Sequence, residues 1–417
     1  MKIGIVSTHD QLGGAARAAY RLHQGLLKQN CISTMYVQQK QSDVSTIIRP
    51  SSKYDNLRTA VISRLDPLPL LRYPNRNKRN FATGCLNSLN LSKVSNEIDV
   101  FNFHWVGSAF QSINSIANIK KPLILSLHDS WAFTGGCYIP YECTKFLTQC
   151  GECNQLNSTT KSDLSYKIWK KKMDSWNSRK DIVLVGDGTW VANNAQNSSI
   201  FKNHRIEVIH PGLDLNVYKP INKISSREIL GLSGNDKVIL FGAYNATEDP
   251  NKGFQLLKPA LEKLAETFSD IANLKFIVFG ASSSFEKSNV IKGVETRYVG
   301  KLSDDISLSV LYSAADVMVV PSKYEAFGQT ASESFACGTP VVAFNTSGLK
   351  DIIDHKINGF LAKPYDSMEL AEGISWVLSD PARLNQLCIE ARSKAVRKFG
   401  IERCVDEYFK MYESVLK

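Results

Sequence analysis

Two textures alternate along the chain. Short runs that are apolar almost throughout, KIGIVS (2–7), TMYVQ (34–38), DVFNF (99–103), PLILSL (122–127) and DIVLVG (181–186), are separated by longer polar stretches. After the first run, Ala15, Ala19, Leu22 and Leu26 recur at helical spacing, which predicts a helix over 15–29. The texture restarts beyond His210 with KVILFGA (237–243), KFIVFGA (275–281), TRYVG (296–300), DVMVVPS (316–322) and PVVAF (340–344). Helical patterns over 253–268, 304–315 and 329–337 lie between these runs. Strands without polar alternation are buried on both faces, as in parallel sheets covered by helices. Two such series predict an α/β protein of two Rossmann-like domains facing across a cleft. The Pro/Gly-punctuated HPGLDLNVYKP (210–220) marks the joint, giving a first domain over 1–210 and a second over 211–399. The tail over 381–416 reads as amphipathic helix, whereas 41–98 and 130–180 follow neither period and read as irregular insertions.

Length agrees with this division, because 417 residues exceed one compact α/β domain. Met1 runs directly into the first strand with no basic, apolar leader, and no window approaches 18 consecutive apolar residues. Both features predict a cytoplasmic protein. The net charge of +10 is uneven: residues 1–210 carry +12 and residues 211–417 carry −2. Its densest clusters are RYPNRNKRN (72–80) and YKIWKKKMDSWNSRK (166–180). The second mixes aromatic residues with lysines, which suits an anionic membrane surface or a phosphate-bearing acceptor; a solvated basic face is the plain alternative.

The chemistry concentrates in YEAFGQTASESFACGTPVVA (324–343), where Glu325 and Glu333 flank a predicted helix start. The preceding run ends a buried strand, so the loop lies at the carboxyl edge of a parallel sheet, where open α/β sheets bind ligands. Gly328 permits close backbone approach, and the amides of the following helix suit a phosphate. Carboxylates beside an anion site need another purpose, which sugar or ribose hydroxyls supply. Thr330-Ala-Ser-Glu333 also has the form of a capping box, so helix capping by Glu333 stands beside ligand binding.

The segment 321–361, with Glu325 and Glu333 as an E-x7-E pair followed by CGTPVV, a Ser-Gly turn and NGFL, resembles the donor-binding block of glycosyltransferase family 4. Those are retaining enzymes of the GT-B fold. The resemblance extends to the Gly13-Gly14 loop, the HPGLD joint and a last helix, 400–417, that returns to the first domain. It implies that Glu325 binds donor-sugar hydroxyls and Glu333 the ribose, with backbone amides of Phe327, Gly328, Gln329 and Thr330 on the diphosphate and sugar. Gly13 and Gly14 would approach the donor phosphate, Lys252 would neutralise the diphosphate, and His128 matches the family's active-site histidine. One departure is clear. The family's arginine after the first strand of the second domain is replaced here by Ala243, leaving the phosphate charge to Lys252, helix amides and Lys301.

The implied activity is transfer of a glycosyl unit from a UDP- or GDP-sugar to a glycan or lipid-linked acceptor in cell-surface polysaccharide biosynthesis, without a catalytic metal. Docking at the inner membrane face is expected from the basic first domain, and nucleic acid is not expected as a partner. A nucleotide-sugar enzyme without transfer, such as an epimerase, and a non-catalytic basic binding protein are the alternatives. Three further features come from the residues alone. His104 in FNFHWVG follows a predicted strand as His128 does, and Asp129 is placed either to orient His128 or to cap a turn. Cys137, Cys143, Cys150 and Cys153, ending in CGEC, form a C-x5-C-x6-C-x2-C cluster that suits structural zinc in a cytosolic chain, with free thiols or an oxidised pair as alternatives.

Overall fold

Each apolar run of the first series forms a strand. β1 (Lys2–His9), β2 (Ile32–Gln39), β3 (Ile47–Ile48), β4 (Val100–Phe103), β5 (Leu123–Leu127), β6 (Ile182–Gly186) and β7 (Arg205–Val208) make one sheet. Its order is β3-β2-β1-β4-β5-β6-β7, with every pair parallel. The second series gives β8 (Lys237–Gly242), β9 (Leu274–Phe279), β10 (Glu295–Tyr298), β11 (Val317–Val320), β12 (Val341–Phe344) and β13 (Gly359–Ala362). These form a second parallel sheet, ordered β10-β9-β8-β11-β12-β13. The computed structural model describes residues 1–49, 53–78, 80–91, 94–268, 270–281, 291–302 and 304–417. They divide into one unit of Met1–Gly212 with Cys404–Lys417, and another of Leu213–Arg403.

In the second unit the pleat sends neighbouring side chains to opposite cores. Val317 and Val319 of β11 join Ile239 and Phe241 of β8 on one face. Met318 and Val320 join Val238 and Leu240 on the other. This is why the strands read as unbroken apolar runs. Strand order reverses between β1 and β4 in one sheet and between β8 and β11 in the other. Such reversals open a crevice beyond the carboxyl ends of the central strands.

The insertions are less irregular than their sequence implies. Lys53–Leu65 and Leu164–Trp176 are helices. The second begins where the Asp163 side chain accepts from Tyr166 N–H, and it buries Ile168, Trp169, Lys172 and Trp176. A lysine within the buried stripe hides the helical period. The C-terminal region is two helices, Pro381–Lys398 and Ile401–Leu416, parted at Phe399-Gly400. The final helix is held in the first unit by a buried polar chain: Asn102 Nδ2 donates to Tyr412 Oη at 2.8 Å, Ser126 Oγ donates to Asn102 Oδ1 at 2.8 Å, and Ser126 Oγ lies 2.9 Å from Tyr408 Oη.

Candidate active site

In the second unit, the reversal point gathers the residues expected to hold a donor. Lys252 ends a short turn (Pro250–Lys252) whose start is capped by the Asp249 side chain. Its Nζ donates to Glu325 Oε1 at 2.8 Å. The side chains are 22% and 17% exposed, so the pair is reachable from solvent. Burial pushes the Lys252 ammonium down, but the attraction and hydrogen bond of Glu325 outweigh it and hold the amine above its ordinary range. Glu325 therefore already has a cation for partner, which its sequence context did not reveal.

The two loops are locked through contacts no motif announced. Asn251 Nδ2 donates to the Tyr324 carbonyl at 2.8 Å, and Lys323 N–H donates to the Asn251 carbonyl at 2.8 Å. Ser347 Oγ accepts from Glu325 N–H at 2.8 Å. Gly253 is required twice over. Its φ is 76°, and a Cβ there would lie 1.8 Å from the Pro321 carbonyl oxygen.

Glu333 does something different from capping. The helix Gln329–Ala336 starts after Gly328, whose φ of 111° no ordinary residue adopts comfortably, and it has no side-chain cap. Glu333 lies a full turn in, is 4% exposed, and accepts from the Tyr312 hydroxyl at 3.0 Å. The capping alternative is thus overturned by the position of the helix start. Gln329 and Thr330 form the first helical turn, while the Phe327 side chain is core, packed edge-on to Phe399 with centroids 5.4 Å apart. Lys301 extends over Tyr244, 5.4 Å from its ring centroid, directly beyond Ala243 in β8's exit loop.

In the first unit, His104 follows β4 and His128 follows β5, and the parallel pairing of these strands brings the rings together. His104 Nδ1 lies 2.7 Å from His128 Nε2, and His128 Nδ1 lies 2.6 Å from Asp187 Oδ2. Asp187 follows β6 and was missed in sequence, where VGDGTW reads as an ordinary strand-to-helix turn. It, not Asp129, orients His128. Asp129 takes the other expected role, its Oδ1 accepting from Trp131 N–H at 2.7 Å to cap a turn. Burial opposes charge on His128, but Asp187 outweighs it and raises the imidazole above its usual range. Burial, and then repulsion from His128, keep His104 well below that range. Burial also lifts Asp129, to about 6. Gly13, beyond β1, caps the helix Gly14–Lys28 at φ 87°, and a Cβ there would meet nothing within 4 Å. Backbone conformation, not space, is what Gly13 supplies, and Gly14 opens the helix.

One expectation about the insertions changes. Lys172 does not belong to an exposed basic face: it is fully buried and donates to the carbonyls of Trp131 and Thr134, the latter at 3.0 Å. Its Nζ sits 3.9 Å from the Trp131 ring centroid, and burial pushes the amine down to about 7. Within the second basic cluster, Lys167, Lys170 and Lys180 remain exposed; in the first, Arg79 lies outside the described residues. Cys137, Cys143, Cys150 and Cys153 line one small cavity of about 20 Å³, and all four are free thiols. Among the described residues, no three His, Cys, Asp or Glu side chains are set as a metal-ligand group. Burial raises the Cys150 thiol to about 12 and pushes the Cys137 and Cys153 thiols up as well, so in this arrangement these three sulfurs are protonated.

Residues 222–394 match the family model of glycosyl transferases group 1. That span contains Lys252, Glu325 and Glu333. The chain is 30% identical over 256 residues to D-inositol 3-phosphate glycosyltransferase 1 of Catenulispora acidiphila, covering 56% of this chain and 59% of that protein. It is 28% identical over 321 residues to an uncharacterized glycosyltransferase of Methanocaldococcus jannaschii, covering 72% and 78%. For several of the inositol phosphate enzymes the chain spans only about half of the relative's length. Sucrose-phosphate synthase from Thermosynechococcus elongatus superposes at a TM-score of 0.70 with 16% identity, over 100% of this chain and 99% of that one. Anabaena Alr3699/HepE, solved with UDP-glucose, superposes at 0.66 with 17% identity, over 99% and 100%. The fold is GT-B. No helix among the described residues is long and apolar enough to cross a membrane.

Proposed function

We propose that the protein is a retaining glycosyltransferase that moves a glycosyl unit from a UDP- or GDP-sugar to a hydroxyl of a glycan or lipid-linked acceptor, as in cell-surface polysaccharide assembly. One observation carries this reading: the Lys252–Glu325 pair, partly exposed at the β8/β11 reversal and adjoining the start of Gln329–Ala336, within the region that matches glycosyl transferases group 1. An amine, a carboxylate and helix N-terminal amides in one loop cluster suit a diphosphate joined to a polyol. In the empty site Lys252 and Glu325 satisfy each other. With donor bound, the ammonium turns to the diphosphate and the carboxylate accepts from sugar hydroxyls. Charge that develops on the departing phosphate is met by Lys252 and helix amides, so no catalytic metal is needed.

Glu333, already fixed by Tyr312, is proposed for the ribose, and the Gly13-Gly14 loop for the donor phosphate. UDP-sugars are favoured as first substrates because Alr3699/HepE was solved with UDP and UDP-glucose. The test is a thermal-shift series with UDP, GDP and their sugars, followed by release of nucleoside diphosphate with and without acceptor. Ligand at 100 times its dissociation constant stabilises the protein by about 2.7 kcal/mol. Failure of every nucleotide to raise the melting temperature overturns the reading. Release without dependence on any acceptor favours a non-transferring nucleotide-sugar enzyme.

A cytoplasmic site of action at the inner membrane face is proposed from the basic first unit. Co-sedimentation with anionic but not neutral vesicles, weakened by neutralising Lys167 and Lys170, checks it. The cysteine cluster is proposed as a structural zinc site on the convergence of all four residues at one cavity. Binding would draw the sulfurs inward and deprotonate them. One zinc per chain in the purified protein supports it, and none after refolding with zinc excludes it.

A further inference from the structure

The helix Lys53–Leu65 is turned inside out. None of its described side chains is buried; Tyr54 is 86% exposed and Leu57 65%. At 100° per residue, Tyr54, Leu57, Val61 and Leu65 fall within about 80° of one another and form one exposed row. The half-buried positions are Asp55, Thr59, Ile62 and Ser63, and Ser63 Oγ donates to the Ser108 carbonyl at 3.1 Å. Mostly polar residues therefore face the first unit, and apolar ones face solvent. Asp66 fixes the end of the helix by accepting from Cys85 and Leu86 N–H at 3.0 and 2.8 Å. Leu68 and Leu71 carry the row on, exposed on a turn that buried Leu70 anchors. A helix of 13 residues is marginal in water alone, and burial of an apolar face is what ordinarily holds one. An open apolar row of this length marks an interaction surface.

The width of the row and the charges beside it decide what covers it. A helix that lies on a lipid surface carries its lysines and arginines opposite the apolar face. Here that opposite side is Asp55, Thr59 and Ser63, already turned to the unit, while Arg58 and Arg64 flank the row. A helix resting on a broad core has an apolar stripe of roughly 100° or more. A narrower row, stepping by three and four, is the seam of one helix against one other. The row also matches itself. In an antiparallel pair centred near Thr59 and Ala60, Tyr54 of each copy meets Leu65 of the other, and Leu57 meets Val61. Such a contact closes on itself about a two-fold axis and leaves no seam open. Arg58 of both copies lies close to that axis, so charge opposes the pair and apolar contact holds it.

We propose that this seam is a dimer interface, in which a second copy of the chain packs its own Lys53–Leu65 helix antiparallel against the first. Leu68 and Leu71 lie at either end of the contact. The interface belongs to the surface of the first unit and stands apart from the proposed reaction.

Sedimentation velocity of the full chain tests it. The mass should double with rising concentration, with a dissociation constant of about 1 μM or below. Raising salt from about 0.1 to 1 M shortens the screening length from roughly 10 to 3 Å. This should tighten the pair, because the Arg58 repulsion is screened and the apolar contact is not; docking on an anionic surface weakens under the same change. Leu57→Glu together with Val61→Glu should raise the dissociation constant by about a hundredfold or more, because two charges enter an apolar seam. Leu57→Met should leave it nearly unchanged. Both positions are open in the single chain, so the double variant keeps its fold. Amide hydrogen exchange over 53–65 should slow as the parent is concentrated and stay fast in the double variant. A chain still monomeric at about 100 times that dissociation constant, or a dimer that the two glutamates leave intact, overturns the inference. So does a monomer that sediments with phosphatidylglycerol vesicles and loses them on the double substitution, an outcome that assigns the seam to lipid.

Discussion

The ion pair of the second unit and the histidine line of the first use similar groups to opposite ends. Lys252 and Glu325 are 22% and 17% exposed, so solvent reaches both. His128 and Asp187 are both 6% exposed, packed so that neither can leave the other. Exposure is what separates them. A pair that solvent still reaches can be remade, whereas a more deeply buried pair is fixed because breaking it strands a charge. The first arrangement suits capture of a charged substrate, and the second suits holding one atom at a set point.

That contrast can be tested from its strongest consequence downward. Glu325→Ala and Lys252→Ala should each lower turnover by about 10²–10³-fold, the usual loss when a charge-stabilising group is removed. Their melting temperatures should stay within the range of about 1 kcal/mol. Stopped release of nucleoside diphosphate together with a large fall in melting temperature would erase the distinction. Gly253→Ala should follow, losing at least about 1–3 kcal/mol from its left-handed backbone alone, with the Pro321 clash added. Gly13→Ala has empty space around the new methyl, but its φ of 87° and ψ of 167° belong to a region that glycine alone occupies readily, so the backbone by itself should cost about 1–3 kcal/mol. Equal losses in denaturant melts of the two would show that the clash at Gly253 relaxes freely.

Asp187→Asn should be destabilising by about 1–3 kcal/mol, and it should also alter the pH profile. His128 is raised in the folded state, so its contribution is complete below the unfolded value near 6.5 and is lost as pH rises through the folded value. His104 is lowered, so its effect runs the other way, removing stability as pH falls below about 6.5. Asp129 also attracts His128, and Cys404 and Tyr408 of the final helix face Asp187. The downward contribution of His128 between pH 6 and 9 should therefore be read as the difference between the melting curves of the parent and Asp187→Asn, in which the opposite, rising contribution of Lys172 cancels. The smallest effect is expected at Lys170, an exposed partner of Asp174 one helical turn away, where Ala should cost no more than about 0.5 kcal/mol. Lys172→Met, two positions on, should cost more, because it removes the lysine donor from the buried Thr134 carbonyl and leaves the Trp131 carbonyl only the Thr134 N–H.

Much of the β11 loop and the helix after it was legible in sequence because it is local. β11, the loop with Glu325 and the helix from Gln329 follow one another within twenty residues, and their strand, turn and helix periods are each carried by neighbours in the chain. Lys252 was placed by the family resemblance, in the turn that precedes the helix Phe254–Thr267. Its partner was not, because 73 residues separate it from Glu325. Thr330 and Glu333 had the spacing of a capping box, but Gly328 took the cap and Tyr312 took the carboxylate. Lys172 looked like one cation in a basic run until its helix turned it inward onto Trp131.

By itself, then, the chain determined two parallel α/β units, the joint between them and the loops that carry chemistry, since strand and helix periods are properties of adjacent residues. Only tertiary structure decided that His104, His128 and Asp187 form one line, because three separate strand ends must be paired side by side to bring them together. It alone also decided which carboxylate stays exchangeable and which is locked, since exposure belongs to the packed molecule and to no short stretch of sequence.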